Sequence, residues 1–291
     1  MSQSLRISSL MLLVTAALVA QQAKVLKITD SRPVLQASRE IEQRYGVSIH
    51  YEDLRYDYLQ DVEDITDRVL TPQQRAMANP ERRIVVPRAK TISIVLAQRS
   101  TPVSEPDVAT ALEAVNAAVA ASSDADTTFQ VTESSGSIFI AGLRSRDRDG
   151  KGRTHVPVLS TRVTLSSGNS SALESLTSII KEVSTRSGFR IELGNIPIRL
   201  LATSQVNVAA SNEPANLVID RIFKALPISP AVSSANGRST TSYQLLIDPR
   251  SRVYALNIGA AAQEAVSVES ASPAKAPQSQ PDRFFRKNAP R

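Results

Sequence analysis

Tyr45-Gly46-Val47-Ser48-Ile49-His50-Tyr51 and Ser187-Gly188-Phe189-Arg190-Ile191-Glu192-Leu193 carry one pattern: the last turn of a helix, a glycine, then a strand. Glycine closes helices because it enters the left-handed conformation without a Cβ penalty. Upstream of Gly46, Val34, Ala37, Ile41 and Tyr45 recur at helical spacing and predict a helix over Val34 to Tyr45. Before it stand a strand-like Val25-Leu26-Lys27-Ile28-Thr29 and the turn Asp30-Ser31-Arg32-Pro33. Upstream of Gly188 the order is the same. Leu173, Leu176, Ile180 and Val183 line a helix from about Ser171 to Ser187, after Arg162-Val163-Thr164-Leu165 and the turn Ser166-Ser167-Gly168-Asn169.

Downstream the parallel continues. Thr91 to Leu96 and Gln205 to Val208 alternate as strands. Ser104-Glu105-Pro106 and Asn212-Glu213-Pro214 then read as helix starts, with Ser104 and Asn212 as N-caps. Val108, Leu112, Val115 and Val119 line the first of these helices, and Val218, Ile222 and Leu226 the second. Strand pairs close both halves, Phe129 to Thr132 with Ser137 to Ala141 and Tyr243 to Ile247 with Val253 to Ile258. The expectation is an α+β protein of two small mixed-sheet modules, each strand-helix-strand-strand-helix-strand-strand. They cover residues 24–142 and 162–259, joined by a basic linker at 143–161. The paired glycines lie 142 positions apart and the paired Glu-Pro starts 108 apart, so the first copy holds 34 extra residues, placed at about 54–90.

Gly46-Val47-Ser48-Ile49-His50-Tyr51, followed by a helix around Ala111-Leu112 and a terminal strand pair, resembles the secretin and TonB short N-terminal domain. Ser187 to Ile191, Val206-Asn207-Val208 and Val218 to Leu226 give the second copy the same likeness, which is similar as well to secretin N-domains. The Gly-Thr-Gly-Leu-like end of that pattern is missing; Ala120-Ala121-Ser122-Ser123 and Leu226-Pro227-Ile228-Ser229 stand there. The resemblance implies a small sheet-and-helix module that binds envelope proteins in a secretin, pilus or TonB-type assembly. It implies no catalysis, and the length leaves no room for an outer-membrane barrel.

The ends agree with export. Arg6 precedes an apolar run from Leu10 to Ala20, with small residues at Ala20 and Ala23, which predicts a cleavable signal peptide over residues 1–23 and a periplasmic or otherwise exported protein. The run is shorter than the roughly 20 residues that span a bilayer. With no Cys, a lipid anchor through Cys, disulfides, thiolate metal sites and a cysteine nucleophile are excluded. Residues 260–291 are rich in Ala, Ser, Pro and Gln and read as a disordered tail, with Phe284 and Phe285 beside Arg286 and Lys287 offering at most weak contact with an anionic membrane.

Candidate chemistry is sparse. The net charge of +6 sits largely in Arg144, Arg146, Arg148, Lys151, Arg153 and Arg162 and in the tail; without interleaved aromatics it predicts no nucleic-acid binding. His50 falls opposite Val47, Ile49 and Tyr51 on its strand and is expected to face solvent; His155 sits in the linker. Asp147-Arg148-Asp149-Gly150-Lys151-Gly152 has the outline of a calcium loop but places Lys151 at a ligand position, and reads as a solvated hinge. No catalytic, cofactor or metal residues are expected. Glu52, Asp53, Asp57, Asp61, Glu63, Asp64 and Asp67 cluster beside Tyr45, Tyr51, Tyr56 and Tyr58. Tyr mixed with charge suits protein contact. Tyr51, Glu52, Asp53, Tyr56 and Tyr58 are therefore the expected partner-binding residues, with an acidic enzyme or polymer-binding site over 52–67 as the alternative.

Overall fold

A computed structural model describes residues 24–77, 83–98, 105–226 and 241–260. The expected signal peptide, Ser104 and the tail beyond Ala260 lie outside the described residues. The first half opens with β1 (Lys24–Asp30), α1 (Pro33–Tyr45) and β2 (Ile49–Glu52). The inserted stretch holds β3 (Val62–Asp64), α2 (Thr66–Val69), α3 (Pro72–Met77) and β4 (Val85–Pro87). After it come β5 (Lys90–Leu96), α4 (Val108–Ser122), β6 (Thr128–Ser134) and β7 (Ser137–Arg146). β8 (Gly152–Thr154) leads to the second half: β9 (Arg162–Leu165), β10 (Ser170–Ser171), α5 (Ala172–Ser187) and β11 (Ile191–Leu193). α6 (Ile198–Thr203), β12 (Gln205–Val206), β13 (Ala210–Pro214), α7 (Ala215–Lys224), β14 (Thr241–Ile247) and β15 (Tyr254–Ala260) complete the described chain.

Local chemistry sets the helix ends. Gly46 and Gly188 close α1 and α5 in the left-handed conformation, at φ 67° and 74°. Ser171 and Glu174 form a capping box at the start of α5, each side chain meeting the other's backbone N–H.

The class is α+β with mixed sheets. In the first half β1 pairs with β5, while β2 runs parallel to β7 and β6 antiparallel to it. In the second, β13 pairs with β9, β11 runs parallel to β15, and β14 antiparallel to it. A parallel contact between β14 and β2, with Gln244 opposite Tyr51 and Leu245 opposite Glu52, then merges the larger sheets. The result is a seven-stranded sheet in the order β11-β15-β14-β2-β7-β6, with β8 added beside β7.

Two aliphatic cores flank this sheet. Ile41, Tyr45, Ile49, Tyr51, Val115, Ile138 and Ile140 belong to one; Leu176, Ile180, Val218, Ile222, Leu245 and Leu256 belong to the other. Successive strand residues point to opposite faces. Tyr51 and Leu245 stand one register step apart, so α1 and α4 cover one face and α5 and α7 the other. At the join, β2 is buried on both faces along its whole length.

Four local expectations change. Asn212-Glu213-Pro214 belongs to β13, and α7 starts at Ala215. Asn212 sits at φ 54° beside a register break, and Pro214 is tolerated because β13 pairs on one side only. The strand expected over Gln205 to Val208 is only Gln205–Val206, paired with β10. Asp107 caps α4, accepting from the Thr110 N–H at 3.2 Å. The stretch expected to be a solvated basic hinge is built into the fold. Arg146 meets Asp61 at 2.9 Å and Asp124 at 3.0 Å, Asp147 turns β7 into β8 by accepting from the Asp149 and Lys151 N–H groups, and Val158 and Leu159 are buried. Arg146 is neutralised by carboxylates distant in sequence, while Arg148, Asp149 and Lys151 of the turn stay exposed.

Candidate functional site

The stretch from His50 to Tyr58 is where the two halves meet. His50, expected at the surface, is 1% exposed. The correction has a tertiary cause: α7 of the second half covers the face of β2 that the first half leaves bare. His50 Nε2 lies 2.9 Å from Asp220 Oδ1, and Nδ1 accepts the Tyr243 N–H at 3.3 Å. A backbone N–H can only donate, so Nδ1 is the acceptor and the proton sits on Nε2, directed at the carboxylate. The ring stacks on Tyr243 at 4.4 Å and lies 4.9 Å from Phe139. Burial holds the His50 imidazole below its ordinary pKa despite the attraction of Asp220.

Asp220 also accepts from Ser137 Oγ at 2.9 Å and from Lys224 Nζ at 2.6 Å. Burial alone would push its carboxyl up, but these donors together with His50 hold it below the usual range. Serine, histidine and aspartate are thus together, in the wrong order for hydrolysis. A nucleophilic serine must hand its proton to the imidazole, with the carboxylate behind. Here Asp220 stands between the two, and all three are buried.

The next residues tie in the connector. Glu52 accepts the Val158 and Leu159 N–H groups, the latter at 3.0 Å. Burial lifts its carboxyl to about 7, against the pull of those two donors. Asp53 receives Arg32 Nε at 2.6 Å, the Tyr51 hydroxyl at 3.0 Å and the Tyr56 hydroxyl at 2.9 Å, while its own N–H donates to the Leu245 carbonyl at 2.9 Å. Arg32 Nη2 reaches on to the Ile247 carbonyl at 2.9 Å. Burial, then the neighbouring Asp53, push the Tyr51 and Tyr56 hydroxyls far above the usual tyrosine pKa. Gly142 permits the close approach: a Cβ there would fall 2.8 Å from the Asp53 carbonyl oxygen.

This geometry corrects the expected contact surface. Tyr51, Glu52 and Asp53 are buried and bind within the chain; Tyr56 and Tyr58 are only partly exposed. Nor do the acids converge into a site. Asp57 pairs with Arg252 at 2.6 Å, Asp61 with Arg146, and Glu63 with Arg68 at 2.8 Å. Among the described residues no group of three or more His, Asp or Glu side chains is placed to hold a metal ion. His155 lies against Arg55 Nη1 at 3.1 Å. Asp220 escaped the sequence reading altogether. Its signal was a carboxylate inside the apolar run Val218-Ile219-Asp220-Arg221-Ile222-Phe223, where a buried partner is required.

Beside the seam, a cavity of about 80 Å³, partly open to solvent, lies between the first core and the inserted stretch. Val34, Tyr51, Leu54 and Phe129 supply apolar walls, and Arg32, Arg88 and Lys90 line it as well. Among the described residues no helix is long and apolar enough to cross a membrane. No family model, curated protein or solved structure matches the chain.

Proposed function

We propose that this protein is an exported envelope component that works as a non-enzymatic interaction module, capturing another envelope protein by strand addition, as in a secretin, pilus or TonB-type assembly. The observation that carries the reading is the pairing of the large sheet. The inner rims, β2 and β14, satisfy one another, whereas β6 and β11 are the terminal strands and pair on one side only. An unpaired strand edge is a template for another chain, with main-chain hydrogen bonds supplying affinity and alternate side chains supplying selectivity. β6 is the better template. It is seven residues long, presents Gln130 and Thr132 to solvent, and contains no Pro or Lys to discourage pairing. The polar seam supports the same reading, because it makes one stiff platform of two small units and lowers the ordering cost of docking. The apolar run before residue 24 and the likeness of both halves to the short N-terminal domain supply the envelope setting.

The test is a photo-crosslinking residue at Thr132, with Ser178 on the exposed side of α5 as control. In intact cells, Thr132 is expected to give a discrete adduct with another envelope protein that Ser178 does not. Equal labelling from both sites, or none from either, overturns strand capture at β6.

A further inference from the structure

The cavity beside the seam takes one of its walls from the insertion. Leu54, Arg55, Tyr56, Asp61, Pro87, Arg88 and Lys90 all come from the inserted stretch or its ends. The other wall is the end of the first core, with Val34, Tyr51 and Phe129. In the second half the corresponding connection is α6, which packs Leu201 into the core at 0% exposure. That connection turns its leucine into the core, whereas the insertion leaves polar groups lining a cavity.

Two features say what would fill it. Ser145 lines the cavity at 2% exposure, and its Oγ has no hydrogen-bond partner. A buried hydroxyl without a partner is unfavourable, and native structures keep one where a guest or an ordered water completes it. The charge balance is the second feature. Arg32, Lys90 and Asp61 line the space already paired, with Asp53 at 2.6 Å, Asp124 at 3.7 Å and Arg146 at 2.9 Å, which leaves Arg55 and Arg88 as lining cations with no ion pair among the described residues. Apolar and aromatic walls admit a compact hydrocarbon body, the buried hydroxyl gives one donor, and the surplus cations favour a single negative charge. A dianion would lose more hydration than such walls return.

From the open cavity, its partnerless Ser145 hydroxyl and its surplus of cations, we propose that the insertion creates a binding site for a small monocarboxylate with an apolar body, of the size of one ring or a short chain. Phe129 belongs to β6 but packs toward the first core, and the site needs no added strand, so it goes beyond partner capture and does not depend on it.

Benzoate serves as the probe, titrated into the full chain by calorimetry and by chemical-shift perturbation, with benzyl alcohol as its uncharged counterpart. Saturable binding that perturbs Ser145 and Phe129 is expected, with benzyl alcohol at least tenfold weaker. Ser145→Ala removes only the hydroxyl and is expected to weaken benzoate about fivefold, the worth of one net hydrogen bond. Arg88→Ala changes an exposed side chain, cannot disturb folding through the core, and is expected to weaken benzoate while leaving benzyl alcohol unchanged. No saturable binding, equal affinity for the two probes, or shifts located elsewhere would overturn the site. So would a water molecule that satisfies Ser145 and is not displaced at saturating benzoate.

Discussion

The second strands of the two halves, β2 and β11, each follow a helix-closing glycine and lie in opposite surroundings. Aligned on Gly46 and Gly188, His50 corresponds to Glu192, Glu52 to Gly194 and Asp53 to Asn195. β2 lies between β14 and β7, buried throughout. β11 is a terminal strand, and Glu192 is exposed beside Arg190. Polar residues on β2 therefore had to acquire buried partners, and those partners come from distant segments: Asp220 and the Tyr243 N–H for His50, Val158 and Leu159 for Glu52, Arg32 for Asp53. On β11, Glu192 stays at the surface and needs only Arg190 beside it. The comparison teaches that polarity on a strand does not report exposure when a second unit can cover the open face.

The sharpest way to break this contrast is Asp220→Ala. It strands the His50 Nε2–H and Ser137 Oγ in an apolar seam, and leaving two buried donors unsatisfied costs about 2–4 kcal/mol. Urea unfolding should show that loss at pH 7, whereas Glu192→Ala on the terminal strand should leave the midpoint within experimental scatter.

A smaller effect tests Glu52. Its folded-state pKa is about 7, above the unfolded value of 4.5. A carboxyl raised in the fold contributes stability that is fully present below the unfolded value and is lost as pH rises through the folded one. That group alone should remove about 3 kcal/mol between pH 4.5 and pH 8. His50 acts in the opposite sense: its depressed pKa contributes stability above the ordinary histidine value, lost as pH falls. Glu52→Gln should therefore shift the stability profile toward alkaline pH, leaving the acid-side loss due to His50. A profile with unchanged slope would mean that Glu52 is not held as a buried acid.

How much of this was legible in the residues follows from the range of the forces. The helix ends at Gly46 and Gly188, the aliphatic stripes of α1 and α5 and the closing strand pairs are set by neighbours a few positions apart, and all were readable. The helix starts near the Glu-Pro pairs were readable only to within a few residues, because Asp107 outcompetes the more distant cap and a bulge carries β13 through Pro214. The seam was not readable. Nothing near His50 announces Asp220, 170 positions away, and nothing near Arg146 announces that Asp61 and Asp124 will neutralise it. Tyr51, Glu52, Asp53, Tyr56 and Tyr58 were expected to meet a partner, and the first three are buried instead. Three of them meet the other half of the same chain.

The seam is expected to make one cooperative body of the two halves of the chain. Differential scanning calorimetry of the chain at pH 7 tests it most directly. A single transition, with calorimetric and van 't Hoff enthalpies equal, is the expected result. Two separable transitions, only one of which moves on Asp220→Ala, would contradict it.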